Sequence, residues 1–179
     1  MIVSANGVRT LGAPQSFEVK PVANLPAGTD LNAVAAFQQE VAGLRRRAAA
    51  AGQEINRVRD ELRHMRAAVA ATPKADPALF GRIDAANVRL AELNRRLNGD
   101  PARQRLNEAT APSISGRVWS AMSAWETRQM PTATQRRDVE IATTELASLS
   151  RDLQALVSDE VAKLRAALDA AGAPWTPRR

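Results

Sequence analysis

The 179-residue chain contains no cysteine and no tyrosine, a single histidine, and aromatic side chains at only 3% of its positions. Without cysteine it has no disulfide, no thiol nucleophile and no thiolate metal site. Lysine is scarce too, at Lys20, Lys74 and Lys163, so the formal net charge of +6 is carried by arginine. The arginines are spread along the chain and interleaved with acids, the pattern of a solvated surface; nucleic acid is not expected as a partner. No apolar run approaches the roughly 20 residues needed to span a bilayer. The first residues, Met1 to Val8, lack the long apolar core and cleavage pattern of a signal peptide.

What the chain does have is periodicity. Val34, Phe37, Val41, Leu44, Ala48, Ala51, Ile55, Val58, Leu62, Met65 and Val69 recur at steps of three and four. Such steps average 3.5 residues, near the helical period, so these side chains fall on one stripe of one helix. A second stripe holds Leu79, Ile83, Ala86, Leu90, Leu93 and Leu97, and a third Ala142, Leu146, Leu149, Leu153, Leu156, Leu164 and Leu168. Stripes of this kind bury one another in heptad-patterned, coiled-coil-like packing. The fold class is therefore mainly α: an antiparallel bundle of long helices, with the first and last packed antiparallel.

Helices are predicted over 30–72, 76–98, 113–128 and 132–171. The first, at about 1.5 Å per residue, is roughly 64 Å long. Thr29 or Asp30 caps it, and Pro73 stops it. Ala48, Ala51 and Gly52 form a shallow waist on it where another helix can approach. Asp76-Pro77 starts the second helix and Asn98-Gly99 ends it. Residues 99–112 read as turn and loop. A short helix follows with Ile114, Val118, Met122 and Trp125 on one face. Thr132 and Gln135 form a capping box for the last helix, which Gly172 and Pro174 end. After Leu156 its stripe shifts toward Val157 and Val161, as in a four-residue stutter that unwinds a supercoil.

Residues 1–22 are different. Ile2-Val3-Ser4-Ala5 and Ser16-Phe17-Glu18-Val19-Lys20 look like two strands, with Asn6-Gly7 and Gly12-Ala13-Pro14 as turns. An isolated hairpin buries too little to persist in water. It must pack on the helices or belong to a larger sheet. The predicted organisation is a short β-hairpin at 1–22, a linker at 23–29, and a helical bundle with an extended tail at 30–179.

No residue qualifies as catalytic, cofactor-binding or metal-binding. Glu61-Leu62-Arg63-His64 has the Glu-x-x-His spacing of di-iron bundles, but such a site needs a second copy, and His64 falls outside the stripe. One surface histidine supports no nucleophile–histidine–acid arrangement. Asp60 and Glu61 are adjacent, about 100° apart on a helix, and do not face each other across a cleft. Glu54 and Glu61 read as partners in surface ion pairs, and Arg45-Arg46-Arg47 as a solvated face. Trp119 and Trp125 sit at helical spacing and read as core, while Trp175 reads as a pin for the tail. No cofactor is called for.

The loops carry a more distinctive signature. Leu11-Gly12 and Pro14-Gln15 lead to Phe17-Glu18-Val19. Ala71-Thr72-Pro73 precedes Ala75-Asp76-Pro77, and Gly99-Asp100-Pro101 precedes Arg105-Leu106-Asn107-Glu108. Then come Pro112-Ser113-Ile114 with Arg117-Val118, Pro131-Thr132 with Thr134 and Arg136-Arg137, and Gly172-Ala173-Pro174-Trp175-Thr176-Pro177. In this order they resemble the C-terminal region of bacterial sortilin-like β-propeller proteins with Asp-box (bacterial neuraminidase) repeats, often labelled glycosyl hydrolases.

The resemblance implies that residues 1–22 are the closing strands of a β-sandwich module, and that the chain is a fragment whose propeller lies upstream. Its partners would be that upstream sandwich and propeller, together with a protein bound to the outer charged faces. The full-length family is secreted or periplasmic. Nothing in this chain itself places it in a compartment. Asp-box repeats mark a fold more than an activity. The expected role is a non-catalytic scaffold or interaction module. Its rivals are an accessory module of a glycosyl hydrolase whose catalytic propeller is upstream, and a basic helical nucleic-acid binder.

Overall fold

The computed structural model describes residues 2–4, 7–9, 12–13, 15–20, 25, 27–123 and 129–173. The chain is mainly helical. In order, the elements are β1 (Ile2–Ser4), β2 (Gly7–Arg9), α1 (Leu31–Ala71), α2 (Ala78–Asn98), α3 (Pro101–Arg105), α4 (Ile114–Met122), α5 (Ala133–Ala155), a π turn (Leu156–Val161) and α6 (Ala162–Ala170).

The long helices form where the stripes predict them, and they are capped by the residues at their ends. The Asp30 carboxylate accepts from the backbone N–H groups of Asn32 (2.9 Å) and Ala33 (3.1 Å). Asp76 accepts from Ala78 at 2.8 Å. Thr132 and Gln135 make the reciprocal capping box, at 3.2 and 2.8 Å. Each such cap satisfies N–H groups that the first turn leaves without a partner. At the far end, Gly172 takes φ +67° while Ala173 donates back to the Leu168 carbonyl at 3.0 Å, a left-handed helix stop.

Three columns make up the bundle. Column one is α1. Column two descends beside it: Arg66 of α1 is salt-bridged to Asp84 of α2, and Gly52 faces Leu97 at the other end of α2. A Cβ on Gly52 would stand 3.6 Å from the Leu97 side chain, so the waist read from Ala48, Ala51 and Gly52 is where α2 comes close. The descent continues in α4, where Ser115 bonds Asn98 (3.1 Å) and Trp119 and Met122 lie beside Arg45 and Ala48. Column three is α5, the π turn and α6, one continuous helical run. Phe37 and Glu40 lie beside Arg136 to Thr143, Arg47 to Glu54 beside Thr143 to Val157, and Glu61 beside Arg165.

Those contacts climb together, so the first and last helices run parallel. This corrects the antiparallel expectation. The reason lies in residues 99–113, which step the chain from α2 to α4 without reversing it. The antiparallel packing is that of column two: α2 and α4 both run against α1 and against α5. The step contains a second departure: Asp100 and Pro101 start a short helix, α3, where a loop was predicted. Its cap is Asp100, accepting from Ala102 at 2.9 Å. The short helix after it ends as an α-helix at Met122 with Ser123 as its cap, and residues 124–128 of the predicted 113–128 span lie outside the described residues.

All three stripes are buried, including Leu44, Ile55, Leu62, Leu90, Leu149 and Leu153. From Phe37 onward, and together with Ile114 and Val118, they form one contiguous apolar core.

The N-terminal pairing differs from the predicted one. Ile2–Ser4 pairs antiparallel with Gly7–Arg9, not with 16–20. Residues 15–20 carry no regular structure, and Phe17 and Val19 are 85% and 81% exposed. Alternation of Phe17 and Val19 gives one apolar edge, but an edge without neighbouring strands gains nothing by staying extended. Deleting residues 1–22 should therefore leave the thermal midpoint of helix loss within about 3 °C of the parent, since Phe17 and Val19 stand clear of the core. A larger fall in circular dichroism melts would show that the segment braces the bundle.

Candidate functional site

Glu61 is the most unusual polar residue of the described structure. It is 8% exposed, on the seam where α1 meets α6. Its Oε2 accepts from Arg57 Nη1 at 2.9 Å and from Arg165 Nη2 at 2.8 Å, and its Oε1 accepts from Arg165 Nε. Arg57 also forks onto Glu54, with Nε at 2.7 Å from Oε2. Two carboxylates and two guanidiniums thus form one neutral, part-buried cluster. Burial alone pushes the Glu61 carboxyl up, but the hydrogen bonds and charges of Arg165 and Arg57 outweigh it and hold the group below the ordinary glutamate value of 4.5.

This corrects the reading of Glu61 as a surface ion-pair residue. Val58, Glu61 and Met65 are themselves three and four apart, so Glu61 lies on the flank of the stripe, as its spacing could have revealed. Glu54 stays at the rim, as read. The Glu-x-x-His spacing has no metal geometry behind it: Glu61 turns inward to two arginines while His64 is exposed. Asp60 is exposed and bridges Arg63 at 3.1 Å. Among the described residues, no group of three histidine and acidic side chains is placed to hold a metal ion.

Other ion pairs also cross helix seams. Arg96 of α2 reaches Asp152 of α5 at 2.6 Å and Ser148 at 3.2 Å. Arg117 of α4 meets Asp138 of α5 at 2.8 Å, with both side chains largely covered. A recess of about 680 Å³ between the end of α2, α3 and α5 is lined by Arg95, Arg96 and Arg103. It is a poor anion receptor, because Arg95 pairs with Asp100, Arg96 with Asp152 and Arg103 with Glu108.

Open grooves remain among the described residues. A groove of about 500 Å³ runs between α1 and α5, walled by small side chains such as Ala50, Ala147 and Ser150 over a floor of Ala51, Leu146 and Leu153. A separate recess of about 410 Å³ adjoins it at Thr143 and is lined by Phe37 and Val139. Across the bundle, Trp119 is 74% exposed beside a smaller groove of about 260 Å³ that includes Arg45, Ala49 and Met122. The expectation that Trp119 belongs to the core is thus wrong. It follows Val118 by one residue, about 100° off the buried face of α4. Arg45, Arg46 and Arg47 are exposed, as read, with Arg47 on the rim of the larger groove. Trp125 and Trp175 lie outside the described residues.

No described helix is long and apolar enough to cross a membrane. No family model, no curated protein and no solved structure matches the chain.

Proposed function

We propose that this chain is a non-catalytic helical scaffold or interaction module and, following the resemblance of its loop motifs, that it belongs C-terminal to a sortilin-like β-propeller. The observation that supports the scaffold reading most is the use made of its charged groups. Glu61, Asp84, Asp138 and Asp152 each bind an arginine of another helix. Carboxylates tied in this way position helices; they are not poised to exchange protons with a substrate. The small-residue groove between α1 and α5 supplies a surface that an interaction role can use.

The genomic DNA upstream of the codon for Met1 tests the propeller half of the proposal. Asp-box repeats in the same reading frame are the expected result, and an unrelated upstream sequence removes it. If the repeats are there, co-expressing the upstream part and residues 1–179 as separate chains should give a complex that survives gel filtration. Two carboxylates facing each other in the propeller's central cleft would move the assignment to an accessory module of a glycosyl hydrolase.

The rival nucleic-acid reading has the net charge of +6 behind it, but that charge is spread along the chain and mixed with acids. A salt titration separates the two, because a protein that neutralises several phosphates loses about 10³–10⁵ in affinity between 50 and 200 mM salt. The scaffold reading expects no binding to duplex DNA with that slope.

A further inference from the structure

Buried positions in the third column run Val139, Ala142, Leu146, Leu149, Leu153, Leu156, Val161, Leu164 and Leu168. Every step is three or four except one: Leu156 to Val161 is five. In an unbroken α-helix a five-residue step carries the side chain about 100° beyond the four-residue position. Val161, Leu164, Arg165 and Leu168 would all rotate away from α1. The π turn occupies this interval, and the amide of Ala162 bonds the carbonyl of Val157, five residues back. A turn of that kind holds one more residue than an α turn. The rotation is absorbed, and the stripe resumes on the same face.

The four-residue stutter expected after Leu156 is therefore not what the chain does. A stutter would bring Val157 into the seam; Val157 is only part-buried, at the head of the α1–α5 groove. Ser158 and Asp159 project outward, their hydroxyl and carboxylate 3.1 Å apart. Neither contributes to the core.

We propose that one residue of the Val157–Glu160 stretch is a removable insertion, taken up by the π turn so that Arg165 keeps its place over Glu61. Removing Asp159 turns the steps into an unbroken three–four series and lets the helix close as a regular α-helix. Everything beyond it keeps its face and, to within a fraction of a turn, its height.

The test is a pair of single-residue deletions in the full chain. Deletion of Asp159 should leave the thermal midpoint within about 3 °C of the parent, or above it. Deletion of Arg59, an exposed residue of α1, should lower the midpoint by ~10 °C or more, because it rotates Glu61, Met65 and Val69 off their stripe with no bulge to absorb the change. Arg165→Ala reads the register directly: its fall in midpoint should be the same with and without Asp159. A deletion of Asp159 that unfolds the protein or costs more than about 3 °C overturns the proposal. So does an Arg165→Ala that has lost its effect in the deletion background, or an Arg59 deletion tolerated equally well.

Discussion

Leu62→Ala should lower the unfolding free energy by about 2–5 kcal/mol, the range for a leucine deleted from a packed interior. Leu62 is 0% exposed in the part of α1 that faces both α2 and α6, where all three columns meet. Its neighbours along the stripe, Val58 and Met65, are equally buried, so little can move in to fill the void. In a chain of this size the loss corresponds to roughly 2–4 °C of thermal midpoint for each kcal/mol. Val88→Ala is the matched control. Val88 is 71% exposed on α2, and its truncation should stay within about 0.5 kcal/mol. Urea unfolding of the two variants decides the matter. If they lose equal stability, the three-column core does not carry the fold.

Much of this core is legible in the sequence, because helical periodicity is a local property that the chain states repeatedly. Leu44, Ile55, Leu90 and Leu149 announce their burial through spacing alone. Direction is different. Nothing in Gly99, Asp100 or Pro112 reveals whether 99–113 reverses the chain, and the parallel run of the first and last helices follows from the fact that it does not. Glu61 shows a second limit. Its spacing from Val58 and Met65 suits the stripe, yet a carboxylate is read as solvated unless its partner is known. That partner, Arg165, is 104 residues away. Trp119 errs the other way: its bulk suggests core, and its offset from Val118 shows that it is not. The π turn is a middle case, since the five-residue step is visible in the sequence but its resolution depends on backbone geometry that the pattern does not state.

Glu61→Ala should lower the unfolding free energy by about 1.5–3 kcal/mol near neutral pH. Removing the carboxylate leaves Arg57 and Arg165 pointing into the same part-buried space with no anion between them. Arg57 retains Glu54, but Arg165 loses the carboxylate to which both of its bonds here run. The loss should fall short of the 3–5 kcal/mol typical of a fully buried pair, because Arg165 keeps 38% of its side chain in water. Acid provides the independent check. The folded state holds the Glu61 carboxyl below its ordinary value of 4.5, so the unfolded chain takes up this proton first as pH falls. The contribution of Glu61 is complete above that value and disappears as pH descends through the lower folded one. Glu61→Gln keeps the shape and removes the titration. Its stability deficit relative to the parent should be constant from pH 8 to about 5.5 and then narrow as the parent is protonated. A deficit that does not change below the ordinary glutamate value would mean that shape and hydrogen-bond count, rather than charge, hold α6 against α1.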